Sequence, residues 1–394
     1  MADNKRIIAS QGLRAFAYGF TAVLLGHLLA HRGTSTLMVG ILLSSVIAGA
    51  AISSLVLMRF GDRFGRRKSN RTMYFVLSVS GIIIAIHPVT WTLLLIAFTG
   101  VLSTDANDNG PATTLEQSML AQISKPSRLA KLFGKYNGVA AICGSLGALS
   151  QGALSHFKIF NTTFIGFLVF VPVGIMGALL ANGLSTEVES RHSDRRKGLK
   201  GSPIRRKVIQ LATLFSIDAA AGGLTTSAWL SFYLTQRYHA SPEELGILFF
   251  TFAALQAASM FLAPYLAQVI GLVPTMIVTH ILSSVFLVLA AFCGQFSLAI
   301  IFLLLRASLS QMDIPTRQAL VMAVVPEPDR TAAAAITNAA RYTIRPLSPT
   351  IAAATSSISI ASPLVLSGFM KVTYDLALLV WAKRGNYLSR NLSS

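Results

Sequence analysis

Gly61-Asp62-Arg63-Phe64-Gly65-Arg66-Arg67-Lys68 is a dense charge cluster with a long apolar stretch on either side. On a soluble surface such a cluster would decide little. Held between apolar runs of about 20 residues each, it reads as a tight loop at a membrane face. One reading of that loop is ordinary positive-inside decoration. The sharper one is a gate, made of an acid between two glycines followed by a basic run.

The rest of the chain supports the membrane setting. Of 394 residues, 53% are hydrophobic and only 12% are charged, with mean hydropathy +0.61. Soluble domains carry about 25% charged residues, so the composition indicates a polytopic membrane protein. Lys and Arg number 33 against 15 Asp and Glu, a net charge of +18. The excess sits in short loops between apolar spans, where it sets orientation, and nucleic-acid binding is dismissed. Cys143 and Cys293 lie far apart inside apolar segments and read as small packing residues. The stretch Met1 to Arg6 leads straight into the first span, without the pattern of a cleavable signal peptide.

Apolar runs against polar breaks give twelve expected spans: 9–30, 36–58, 71–88, 91–112, 134–155 and 162–182, then 208–234, 243–267, 272–293, 296–316, 331–355 and 359–382. With a cytoplasmic N-terminus, inside segments hold Lys5, Arg6, Arg59 to Arg71, Lys125 to Lys135, Arg191 to Lys207, Arg317, Arg330 and Lys383 to Arg390. The outside loops hold only Arg32, Lys158 and Arg237, so both termini are expected inside. A prokaryotic cytoplasmic membrane is the expected location. The stretch Ser185 to Lys207 reads as a basic cytoplasmic linker between two six-span halves, 1–184 and 208–394.

The halves repeat one another. Arg14-Ala-Phe-Ala-Tyr-Gly-Phe-Thr21 aligns with Asp218-Ala-Ala-Ala-Gly-Gly-Leu-Thr225, and Gly40-Ile-Leu-Leu43 with Gly246-Ile-Leu-Phe249. Gln117 and Asn137 match Gln318 and Asn338, all at offsets of 201 to 206 residues.

Twelve spans, two halves, a basic central loop and the motif Gly61 to Lys68 after the second span resemble the major facilitator superfamily over essentially the whole chain. The family pattern starts with a glycine where this chain has Met58. The resemblance implies an all-α, twelve-helix transporter of two pseudo-symmetric halves working by alternating access, with spans 1, 4, 7 and 10 lining a central cavity. It also implies that Asp62 caps the N-terminus of span 11, around Pro328 to Thr331, where free amides favour an anion. Arg63, Arg66 and Arg67 would lie near headgroups and neighbouring carboxylates. The corresponding place in the second half, Ala263 to Gly271, carries no charge, so the gate would be one-sided.

Ionisable residues inside spans are functional candidates because burying them is costly. Arg14, Asp105, Asp218 and Arg306 fall in or near spans 1, 4, 7 and 10, and the repeat sets Arg14 against Asp218 and Asp105 against Arg306. They read either as permanent ion pairs or as a path for protons and substrate, with Asp218 and Asp105 the preferred proton carriers. Asp105-Ala-Asn-Asp-Asn-Gly-Pro111 would line a cavity from a broken helix, form a cytoplasmic loop, or bind a cation; Asp108 is three residues from Asp105. Glu116 and Arg317, matched in the repeat, read as an inner gate or as solvated loop charges. Arg341 and Arg345, four apart in span 11, need anions, supplied by carboxylates such as Asp313 or by an anionic substrate. Lys371 and Asp375 are expected to satisfy each other. Glycines 138, 144, 147 and 152 permit close packing of span 5. The seven histidines lie mostly near span ends or in loops, without ligand spacing.

The expected activity is transport of a small solute, proton-coupled and with export favoured over import. The alternatives are a transporter-like receptor or structural protein, and an organic-anion carrier without proton coupling. ATP-driven pumping by this chain alone is not expected, since there is no Walker motif, and an enzyme is not expected, since there is no nucleophile–base or metal constellation. The expected partners are a small-molecule substrate, a coupling proton and the lipid bilayer, for a monomer with no cofactor and no metal.

Overall fold

The structure, a computed structural model, describes residues 2–103, 110–123, 126–155, 157, 164–189, 204–326, 329–385 and 387. Within helices, the side chains of residues 2, 58–63, 126–131, 322, 330–332 and 334–335 fall outside that description. Among the described residues the ordered elements are all helical, and nine stretches are long and apolar enough to cross a membrane. Large apolar side chains point outward from them: Trp91, Phe261, Val269 and Phe292 are each at least 75% exposed. That inverted pattern is what a lipid solvent selects.

The chain divides into two compact units, Met1–Ser193 with Thr226–Phe250, and Asp194–Thr225 with Thr251–Ser394. The first contains α1 (Ala2–His31), α2 (Thr36–Phe64), α3 (Arg66–Ile86), α4 (Thr90–Phe98), α5 (Pro111–Ile123), α6 (Pro126–Leu154) and α7 (Phe170–Asn182), the last entered through a 3-10 turn at Phe164–Val169. α8 (Arg205–Gly223) belongs to the second unit, and α9 (Ser227–Tyr238) packs on α1 in the first. There Ser231 Oγ donates to the Val23 carbonyl at 3.0 Å and Gln236 Nε2 to Ala30 at 3.0 Å. α10 (Pro242–Ile270) opens on a capping box: Ser241 N donates to Glu244 Oε2 at 2.8 Å, and Glu244 N donates back to Ser241 Oγ at 3.2 Å. The second unit continues with α11 (Leu272–Phe292), α12 (Phe296–Ser310), α13 (Asp313–Val324), α14 (Arg330–Ile344), α15 (Ser348–Thr355) and α16 (Ser362–Arg384).

In the first unit, α1 lies backbone to backbone on α6. A Cβ built on Gly19 would collide with the Gly144 carbonyl, and one on Gly147 with that of Phe16. Small residues let helices approach this closely where lipid gives no hydrophobic drive between them. In the second unit Phe215, Met276, Leu320, Ala333, Tyr374 and Leu378 form one buried cluster joining α8, α11, α13, α14 and α16.

The structure bears on three sequence expectations. The motif Gly61 to Lys68 is not a loop: α2 runs on to Phe64, Gly65 alone makes the turn at φ 85°, and α3 starts at Arg66. A left-handed φ costs glycine nothing, which lets the turn be one residue long. The fourth span is broken into α4 and α5, and α5 starts at Pro111, where a missing N–H does no harm. The expected spans 7, 10 and 11 are interrupted as well, at Leu224–Thr226, Gln311–Met312 and Arg345–Leu347.

Candidate functional site

Among the described residues, the first unit buries an ion pair between Arg14 and Glu116. Arg14 on α1 meets Glu116 on α5 with two prongs, Nη1 to Oε1 at 2.8 Å and Nη2 to Oε2 at 2.9 Å. Tyr74 Oη on α3 donates to Oε1 at 2.9 Å, Tyr136 Oη on α6 to Oε2 at 2.6 Å, and Ser10 Oγ to Oε1 at 3.3 Å. Arg14 also reaches Thr113 Oγ1 at 2.9 Å, and Gln11 Oε1. Glu116 is fully buried and Arg14 is 3% exposed. Buried charges are tolerable when every lone pair and N–H finds a partner, and here the carboxylate is saturated.

The second unit buries a larger network around Asp218 on α8. Arg317 Nη1 on α13 bridges Asp218 Oδ2 at 2.9 Å and Asp313 Oδ2 at 2.6 Å. Lys371 Nζ on α16 donates to Asp218 Oδ1 at 3.2 Å and lies 2.9 Å from His280 Nε2 on α11. The other ring nitrogen, Nδ1, is 3.0 Å from both carboxylate oxygens of Asp375. Arg341 Nη1 on α14 stands farther off, 3.6 Å from Asp218 Oδ2, with its side chain 25% exposed. Asp218 therefore answers to two guanidinium groups, one lysine and one imidazole.

The repeat makes these two sites the same site twice. Arg14, Tyr74 and Glu116 match Asp218, His280 and Arg317 at offsets of 201 to 206 residues. The ion pair stands in both units with its polarity reversed. Where the second unit has Asp313, Lys371 and Asp375, the first has Ala112, Phe167 and Val171 at the corresponding offsets. One version is a closed pair among tyrosines, and the other is an open-ended chain of titratable groups.

Asp218, His280 and Asp313 also bring three possible metal-ligand atoms within 4.8 Å of one another. Their donor set does not suit a metal ion. Arg317 and Lys371 already place side-chain cations on both aspartates, so another cation would meet repulsion.

Several expectations are corrected here. Glu116 and Arg317 are not solvated loop charges; they are 0% and 8% exposed and each is engaged within its own unit. Arg14 is the thirteenth residue of α1 and is buried within the first unit. Lys371 and Asp375 do not satisfy each other: Lys371 serves Asp218, and both flank His280. His280, grouped with the span-end histidines in the sequence, is 1% exposed in the middle of α11. Its match to Tyr74 in the repeat was the available signal. Arg306 is half-buried on α12, ahead of the Gln311–Met312 break, and Arg345 opens the 3-10 turn beyond α14. Asp105 and Asp108 lie outside the described residues, as do the side chains of Asp62 and Arg63 and, of the expected Asp62 partner region Pro328 to Thr331, residue 328 and the side chains of 330 and 331.

Of the gate motif, the helix start is described. Glu189 accepts from the amides of Arg66 and Arg67 at 2.6 and 3.2 Å, capping α3. The Arg66 side chain donates to the Ser118 carbonyl at 3.3 Å, and that of Arg67 to the Asn182 carbonyl at 3.2 Å. These two arginines reach backbone oxygens of their own unit.

The sequence pattern of the Major Facilitator Superfamily matches residues 7–236 and 211–391. The chain belongs to the Major Facilitator Superfamily. Superfamily membership and the twice-built ion site agree with the internal repeat. The uncharacterised membrane protein YJR124C of Saccharomyces cerevisiae is 23% identical over 417 residues, covering 95% of this chain and 93% of that protein. Among solved structures, a D-xylose–proton symporter superposes with TM-score 0.75 at 14% identity, covering 95% of this chain and 96% of the other. The nucleoside transporter NupG does so with TM-score 0.71 at 9% identity, covering 98% and 99%. At such identities the structural likeness fixes the superfamily fold. The family makes the chain a multi-pass membrane transporter that binds a small molecule and is not an enzyme.

Proposed function

We propose that this superfamily member moves its solute by alternating access between the halves 1–184 and 208–394, driven by protons that bind the Asp218 network. The observation that carries this is the sharing of Asp218 among Arg317, Lys371, His280 and Arg341, in a site where the matched first-half pair is saturated. A carboxylate with several competing cations changes partners when it gains a proton, and each change of partner shifts helices α8, α11, α13, α14 and α16 against one another. The fold accommodates such coupling, as the D-xylose–proton symporter shows for itself. Asp62 and the cap at the start of α3 would bias the gate, at about 0.3–2 kcal/mol per charged cap.

The test is proton movement into proteoliposomes holding the purified chain after an acid jump, recorded electrically. The unaltered chain should give a saturable charge movement that Asp218→Asn removes. No saturable movement in the unaltered chain would sink proton coupling. The sign of the solute gradient that enhances the movement reads export or import.

A second reading has one observation behind it. Arg341 is the most exposed cation of the network and has the longest contact to Asp218, so it is the one best placed to take an organic anion. Binding of carboxylates independent of pH would favour that reading over proton coupling.

A further inference from the structure

We infer that His280 is where the coupled proton lands, and that Lys371 and His280 take turns as the partner of a single oxygen, Asp218 Oδ1. This rests on reading the Asp218 network as the coupling centre. Lys371 Nζ lies 3.2 Å from that oxygen and His280 Nε2 lies 3.4 Å from it, while the two nitrogens are 2.9 Å apart. Two positive charges at that separation repel strongly in a buried site, so the two groups cannot both be charged and stay in place.

The observed arrangement is the unloaded one. A charged Lys371 donates to Asp218 and to Nε2, so the single proton of the neutral ring sits on Nδ1 and is given to Asp375. Loading adds one proton from water to the Nε2 lone pair, and no other covalent bond changes. The imidazolium then donates on both sides, to Asp218 and to Asp375, and Lys371 leaves Oδ1 still carrying its own proton. Release reverses these steps.

The groups facing the ring define its response. They are Asp218 from α8, Asp313 and Arg317 from α13, and Lys371, Tyr374 and Asp375 from α16, with Arg341 of α14 reaching Asp218. α12 packs on α11 through Phe302 against Phe286, and its one charged residue is Arg306. With a neutral ring the three aspartates balance Arg317, Arg341 and Lys371. One proton more leaves the network positive, so loading is opposed unless Lys371 moves. The first half, with Tyr74, Phe167 and Val171 at the matched positions, lacks every part of this exchange.

The experiment uses the full chain in lipid nanodiscs with 15N-labelled histidine, beside the acid-jump recording in proteoliposomes. On acidification the His280 signal should pass from a neutral ring protonated at Nδ1 to a doubly protonated one. Lys371→Gln removes the competing cation and should bring loading on at a proton concentration about tenfold lower. His280→Asn should abolish the saturable charge movement. A ring that never changes state, or a midpoint unmoved by Lys371→Gln, overturns the inference; the first needs no variant and so does not depend on variant folding. If Asp218→Asn is silent while His280→Asn behaves as the unaltered chain, His280 is not the landing site and the Asp218 reading stands. If Asp218→Asn itself behaves as the unaltered chain, that reading fails as well.

Discussion

Arg14 and Glu116 form a two-pronged ion pair at 2.8 and 2.9 Å in the first unit, and Asp218 and Arg317 form its counterpart in the second with the charges exchanged and a single prong at 2.9 Å. Equivalent helices thus hold equivalent ion pairs, and the sign of each partner is free to differ. The pair is an architectural element of each half, while the groups around it set what that half can do.

Glu116→Gln would leave Arg14 buried without its anion. Removing one member of a buried pair costs about 3–5 kcal/mol, so the melting temperature of the purified protein should fall sharply. The exchanged polarity of the second unit makes a further forecast: Arg14→Glu combined with Glu116→Arg should be more stable than either single change. A double variant no better than the worse single one would show that the surroundings, and not the pair, fix the polarity.

Glycines in α6 should separate by position. Gly147→Ala drives a methyl group into the Phe16 carbonyl, whereas a Cβ on Gly138 meets nothing within 4 Å. Gly138→Ala should be neutral or stabilising by up to roughly 1 kcal/mol, and Gly147→Ala clearly destabilising, in the same thermal assay.

Glu189→Gln should loosen the start of α3 alone. Losing a charged N-terminal cap costs about 0.3–2 kcal/mol, and amide exchange at Arg66 and Arg67 should quicken by a corresponding factor. Unchanged exchange there would mean that Glu189 holds nothing in solution.

Asp313→Asn tests the order of importance within the network. Arg317 keeps its 2.9 Å bond to Asp218 in this variant, so the acid-jump response should persist with a shifted midpoint. Abolition as complete as in Asp218→Asn would make Asp313 the coupling carboxylate.

Much of the architecture was legible because lipid imposes a coarse code: apolar runs gave the spans, and the 201-to-206 offset gave the repeat. Asp218, Arg14 and Arg341 stood out as charges in apolar surroundings. The partners were harder to see. Glu116 sits just past the polar run 105–111, where a broken helix looks like a loop, so its burial on α5 was hidden. Lys371 and Asp375, four residues apart, offered a local pairing that fitted helix geometry. Only the tertiary approach of α8 and α11 to α16 diverted both of them. His280 carried no spacing signal because its partners come from two other helices, α8 and α16.

The most direct measurement compares saturable charge movement after an acid jump in proteoliposomes of three proteins: the unaltered chain, Asp218→Asn, and the first-half double variant Arg14→Glu with Glu116→Arg. A coupling centre confined to the second half predicts movement in the unaltered chain and in the double variant, and none in Asp218→Asn. Movement that survives Asp218→Asn, or that vanishes only when the Arg14–Glu116 pair is exchanged, would contradict it.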